Sequence, residues 1–268
     1  SVPSITLNND NLFDNGDENF FVELTGATEV SSGDNVPLTS GEDTHEITIT
    51  DDESAPEISV GNASTVTEGD AATFTVTLSG KADEDISGDF TVTPGSATAD
   101  DFPGGTLPTG SFTVTAESTT ATITVSTADD TVFENGDENF NLDIANFGPA
   151  TAGATTSATG TISDNESAPE ISVGNASATE GSAATFTVTL SGEADEDISG
   201  DFTVTSGSAT ADDFGGTFPT GSFTVTAGAT TATITVGTFD DNLFDNGDED
   251  FNLDIANFGP ATAGATTS

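Results

Sequence analysis

Repetition constrains this chain more than any other feature of it. The segment SAPEISVGNAS begins at Ser54 and again at Ser167, TEG ends at Gly69 and at Gly181, and FNLDIANFGPATAGATTS begins at Phe140 and at Phe251. The offset shrinks from 113 to 112 to 111 residues along the copy. That places one single-residue deletion near Thr65–Val66 and one at Pro103, between apolar runs, where loops absorb changes of length. A more divergent copy shows only its second half: NDNLFDNGDENF from Asn9 aligns with DDTVFENGDENF from Asp129, and ITITDDES from Ile47 with GTISDNES from Gly160. The expected order is a half repeat over 1–53, a whole repeat over 54–166, and over 167–268 a repeat that lacks the counterpart of its last strand. A cut inside a unit implies that the parent chain continues on both sides or that neighbouring protomers supply the missing strands.

Within the whole repeat, apolar residues alternate with Thr and Ser between clusters of Gly, Asp, Asn and Pro. The alternation predicts strands over Glu57–Val60, Ala72–Leu78, Ser87–Thr93, Ser111–Thr115, Thr119–Ser126, Asn139–Ala145 and Ser157–Ser163. Phe74, Val76 and Leu78 fall on one face, and Thr73, Thr75 and Thr77 on the other. The same alternation puts Phe112 with Val114, Ile123 with Val125, and Phe140 with Leu142 and Ile144 on an inner face. About seven short strands, each with one apolar face, predict an all-β chain of tandem immunoglobulin-like antiparallel β-sandwich repeats. No stretch carries a sustained helical period.

Charge narrows the possible partners. There are 47 Asp and Glu residues against one Lys or Arg, a formal net charge of -46. Such a surface repels phosphate backbones and anionic headgroups, so no nucleic acid is expected as a partner. No apolar run approaches the roughly 18 residues of a membrane span, so no membrane insertion is expected. Cys is absent, which removes disulfides, thiol catalysis and Cys-ligated metals. His45 is the only histidine and lies outside both long copies, so no repeated Ser/His/Asp site exists. Trp and Tyr are also absent, leaving no such platform for a sugar beside paired carboxylates. The chain is expected not to be an enzyme.

The acids gather at strand ends. In the whole repeat they are Glu68, Asp101, Asp129, Asp130, Glu134, Asp137, Glu138, Asp164 and Glu166. The loops of a sandwich collect at its two ends, so acids distant in sequence can converge. Ca²⁺ takes six to eight oxygens and prefers carboxylates. Without a cation the cluster is costly, since two carboxylates about 4 Å apart repel by about 4 kcal/mol at an effective dielectric of about 20. The plain alternative is a solvated anionic surface. The divergent first copy favours ligands: Asp10, Asp14, Asp17, Glu18, Asp51, Asp52 and Glu53 persist while the sequence between them has changed. By contrast, Lys81 is replaced by Glu193 in the next copy, as expected of a surface position without a role.

The joint pattern of TEG, SGDFTVTPGSATADDF, TATITVSTADDTVFENGDENFNLDI and GTISDNES resembles the Calx-beta motif of exchanger regulatory domains, integrin β4 and very large bacterial surface proteins. The resemblance covers all of 54–166, nearly all of 167–268 and the back half of a unit in 1–53. It implies Ca²⁺ ligands at Glu68, Asp101, Asp129, Asp130, Glu134 and the Asp164–Asn165–Glu166 tail, and at Glu180, Asp213, Asp240, Asp241 and Asp245 in the next copy. Glu138 and its counterpart Glu249 are further candidates in the ENGDENF loop, as are Asp10, Asp14, Glu18, Asp51, Asp52 and Glu53 in the first copy.

Weaker signals stay in the background. Asp14–Asn15–Gly16–Asp17 has EF-hand composition but the wrong spacing and strand flanks, and its Asn–Gly pair suits a tight turn. Asn62, Asn165 and Asn175 head N-glycosylation patterns. The expected function is a Ca²⁺-binding structural repeat of an extracellular or cell-surface prokaryotic protein, a stiffened stalk, filament or matrix segment whose partners are neighbouring repeats or protomers. The alternative is a Ca²⁺-dependent adhesin segment that binds a glycan, protein or surface.

Overall fold

A computed structural model describes residues 4–39, 41, 43–240 and 247–266. They form two compact units: the first comprises Ser1–Ser64, Ala71–Ser126 and Asn139–Gly160, and the second Thr65–Asp70, Thr127–Glu138 and Thr161–Ser268. The acidic loops 65–70 and 127–138 of the whole repeat, with its tail after Gly160, therefore group with the third repeat.

The strands in chain order are β1 (Glu18–Glu23), β2 (Ala27–Thr28), β3 (Asn35–Val36), β4 (Thr44–Ile49), β5 (Glu57–Gly61), β6 (Val66–Thr67) and β7 (Ala71–Leu78). They continue as β8 (Ile86–Pro94), β9 (Thr109–Val114), β10 (Thr120–Ser126), β11 (Glu138–Ala145), β12 (Thr151–Ala152) and β13 (Ser157–Ser163). The third repeat adds β14 (Glu170–Val173), β15 (Ala183–Leu190), β16 (Ile198–Ser206), β17 (Thr220–Val225), β18 (Thr231–Gly237), β19 (Phe251–Ala256) and β20 (Thr262–Ala263). Each of the seven strands expected in the whole repeat is present, with no end moved by more than two residues. The two extra ones, β6 and β12, are two residues long and pair in parallel, Val66 with Ile162 and Thr151 with Glu57. Strands that short carry no alternation to read.

In the first unit β7 lies between β10 and β5, and β8 between β9 and β11. Ala72, Phe74, Val76 and Leu78 are buried while the threonines between them are exposed, as period-2 alternation over a one-sided core requires. Phe74, Phe102 and Phe140 are fully buried and meet edge to face, with Phe140 5.8 Å from Phe74 and 5.2 Å from Phe102 between ring centroids. Phe102 comes from a loop, so no strand period announces it. In the half repeat, β1 pairs with β4. Leu24, the counterpart of buried Ile144, is 53% exposed.

The second unit repeats the plan, with β15 between β18 and β14, and β16 between β17 and β19. Its core runs through Ile171, Phe186, Val188, Ile198, Val204 and Ile234. The unit also holds β6, which pairs with Ile162 and Ser163 at the end of β13. This pairing draws the TEG segment against the acidic tail.

Candidate metal centre

Three segments far apart in sequence meet in the second unit. The Glu68 N–H donates to the Ser163 carbonyl at 3.0 Å, the Gly69 N–H to the Ala128 carbonyl at 2.9 Å, and the Asn165 N–H to Glu68 Oε1 at 3.3 Å. Gly69 has φ +77°, and a Cβ there would stand 2.9 Å from Asp129 Cβ, so the third residue of TEG has to be glycine on both counts. One carboxylate oxygen each from Glu68, Asp164 and Glu166 then lies within 4.8 Å of the others. Glu68 is only 8% exposed. Asp164 is aimed by two backbone donors, Glu166 N–H at 2.9 Å and Glu134 N–H at 3.0 Å.

Glu166 Oε2 is buried and no donor reaches it. Its carboxyl can hydrogen-bond to Glu68 and Asp164 only by carrying a proton. Those two bonds, then burial and the neighbouring charges, push its pKa up to about 8. A buried carboxylate oxygen among carboxylates, in a chain with one Lys or Arg in all, fits a hard divalent cation and not an ion pair.

The first unit holds a second version of the arrangement. Asp51, Asp52 and Glu53 bring oxygens within 4.8 Å of one another, and Asp51 accepts from Asp14 N–H at 3.0 Å and Glu53 N–H at 3.2 Å, as Asp164 does. Hydrogen bonding to Asp51 and partial desolvation push Glu53 up to about 7. Desolvation raises Asp51 as well, but the donations from Glu53 and Asp14 outweigh it and hold its carboxyl below the ordinary range.

One exchange between the two versions is informative. Asn165 Nδ2 donates to Asp129 Oδ1 at 2.8 Å, whereas in the first copy Asn9 Nδ2 donates to Asp52 Oδ1 at 3.2 Å. Amide and carboxylate have changed places, and the bond that ties the loop to the tail is kept. Asn165→Asp, which sets two carboxylates face to face, should therefore cost about 1–2 kcal/mol in metal-free buffer. Adding Asp129→Asn should restore most of it, since the pair then reads as the first copy does; thermal melts of the three proteins check this.

The remaining expected ligands stand as follows. Asp130 and Asp10 accept from the N–H two residues on, Val132 at 2.7 Å and Leu12 at 3.1 Å, and so shape their own loops. Asp101 in the first unit accepts from Thr98 N–H at 2.6 Å, and Asp213 in the second from Thr210 N–H at 2.7 Å. Glu134 and Glu138 are half-buried, and Glu18, Glu180, Asp240 and Glu249 are exposed. Gly181 and Asp240 reproduce the close approach of Gly69 and Asp129, again at 2.9 Å. Asp241 and Asp245 lie outside the described residues.

The sequence reading missed two further acids, Asp83 and Asp195. The Asp14 carboxyl is raised by desolvation first and then by Asp83. That of Asp195 is raised by desolvation, by Glu196 and, more weakly, by Asp164. Each belongs to the following repeat, and nothing in its local sequence marks it.

Glu53 and Glu166 together give metal-free stability a pH dependence. Both carboxyls sit above their unfolded value of 4.5. Their contribution is therefore complete below about 4.5 and is lost as pH rises through about 7 and then about 8. The metal-free melting temperature should fall across that window, and a cation added at pH 7 should release protons. A melt that stays flat from pH 5 to 8.5 contradicts the assignment.

Comparison with known proteins places these features in a family. The Calx-beta domain profile matches residues 3–53, 51–166 and 168–266. No curated protein sequence matches. Among solved structures, CBD12 from CALX1.2 shares 16% identity over 75% of this chain and 79% of its own, with a TM-score of 0.37. The calcium binding domain CBD12 of CALX1.1 shares 17% over 75% and 80%, also at 0.37. The apo-form Calx CBD1 domain shares 20% over 42% of this chain and 99% of its own, at 0.37. With its three matched segments in tandem, the chain belongs to the Calx-beta domain family.

Proposed function

We propose that the chain is a Ca²⁺-binding structural array, a segment of an extracellular or cell-surface protein in which an ion at each acidic junction restricts bending between consecutive repeats. The observation that carries this reading is the meeting of Glu68, Asp164 and Glu166 around a buried oxygen that lacks a donor. Bound Ca²⁺ supplies the positive charge that the side chains do not. Glu68, Asp164 and Glu166 would hold it in the second unit, and Asp51, Asp52 and Glu53 in the first. Asp129, Asp130 and Glu134 shape the loop beside the second-unit set, and Asp10 and Asp14 the loop beside the first.

Near-identical copies joined by short linkers suit length better than signalling, and Pro56 and Pro169 stiffen the joins. Membership of the Calx-beta domain family supports the choice of ion. Among the described residues no helix is long and apolar enough to cross a membrane. A calcium titration followed by small-angle scattering and calorimetry tests the reading. Saturable heat together with a narrowing distribution of dimensions is the expected result. No heat at millimolar Ca²⁺ would sink it, and Ca²⁺-dependent capture of a glycan or protein without narrowing would favour an adhesin.

A further inference from the structure

We propose that each repeat is docked onto its predecessor by an aromatic latch that forms without a cation: Phe13 seated against residues 81–83, and Phe133 seated against residues 193–195. The inference does not depend on the calcium reading.

The same short parallel bridge occurs twice, once inside each compact unit. Phe133 N–H donates to the Glu193 carbonyl at 3.0 Å and Asp195 N–H to the Phe133 carbonyl at 3.1 Å. Phe13 N–H donates to the Lys81 carbonyl at 3.0 Å and Asp83 N–H to the Phe13 carbonyl at 3.1 Å. Between each pair of bonds lies a buried alanine, Ala194 at 4% exposure and Ala82 at 3%.

The receiving loop is braced by its own repeat. Gly228 N–H donates to the Ala194 carbonyl and Glu117 N–H to the Ala82 carbonyl, both at 2.8 Å. Asp197 and Asp85 accept from Ala227 and Ala116 N–H at 2.9 and 2.8 Å. The socket is thus prepared before anything enters it, which limits the ordering cost of docking. The Phe133 side chain packs against the hydrophobic core of the third repeat, although by sequence it belongs to the second.

Two observations argue that no ion is needed. Recognition runs through backbone groups and an apolar ring, and neither requires charge. The position beside the socket is Lys81 in one copy and Glu193 in the other, yet the bond to its carbonyl is 3.0 Å in both. A junction set by side-chain electrostatics would not survive that reversal unchanged. The flanking acids work against docking, since Asp83 stands near Asp14 and Asp195 near Asp164.

Amide hydrogen exchange on the full chain, followed by NMR in EDTA and then in millimolar Ca²⁺, tests the latch. Asp195 and Asp83 amides should be protected in EDTA already. Phe133→Ala should lower protection of Asp195 at least tenfold and leave Gly228 within about twofold, and Phe13→Ala should do the same to Asp83 alone. Phe133→Leu, which keeps an apolar side chain, should retain most of the protection.

Protection that appears only after Ca²⁺ is added overturns the proposal, and so does a Phe133→Ala chain whose Asp195 amide is unchanged. Loss of Gly228 together with Asp195 also overturns it, because the ring would then be an ordinary core residue of the third repeat. A failed calcium titration leaves the EDTA arm intact, so the two readings fail separately.

Discussion

Calcium at a hundredfold excess over its dissociation constant should raise the melting temperature by roughly 10–20 °C above that in EDTA. One site at that excess stabilises the folded form by about 2.7 kcal/mol, and a kilocalorie shifts the melting temperature of a domain of about 100 residues by about 4–8 °C. Relief of repulsion among Glu68, Asp164 and Glu166 acts in the same direction. Glu68→Gln keeps the shape of the buried side chain and removes its charge. It should abolish most of the shift in the second unit and raise the metal-free melting temperature slightly. Mg²⁺ should do less, since it is smaller, demands octahedral geometry and gives up water reluctantly. If NaCl at matched ionic strength gives the same rise, screening of the -46 charge explains the effect and the sites do not.

Phe140→Ala should destabilise the first unit by about 3–5 kcal/mol, as truncating a fully buried aromatic does. Phe140 is fully buried and its ring is held edge to face by both Phe74 and Phe102. The same ring covers Gly160 on the neighbouring strand so closely that a Cβ there would meet it. Gly160→Ala alone should therefore cost about 1–3 kcal/mol through overpacking. In the double variant the alanine at 160 enters space the ring has left, so the combined loss should be smaller than the two single losses together. Denaturant melts of the four proteins read this directly, and strict additivity would show that the ring does not stand over the glycine.

The repeat, the seven main strands and their inner faces are all legible in the sequence. Alternation of burial is a property of neighbouring residues, and the two long copies state it twice. Phe102 escaped because a loop residue has no period, and β6 and β12 escaped because two residues show none. The acids at strand ends were legible as a group, but their association was not. That Asn165 would hold Asp129 while Asn9 holds Asp52 depends on two segments dozens of residues apart meeting side by side. In sequence the Lys81-to-Glu193 change marks a surface side chain that is free to vary. The carbonyl at that position nevertheless accepts a backbone hydrogen bond in both copies, and every residue carries one.

By itself, the sequence determined the repeat order, the β architecture, the one-sided strands and the concentration of negative charge at strand ends, because each follows from residue types at fixed local spacing. Only the tertiary structure decided which carboxylates converge, which of them is buried without a donor, and that an aromatic residue from one repeat enters the next. Those outcomes depend on sheet pairing across long separations and on backbone groups, which leave no trace in side-chain identity.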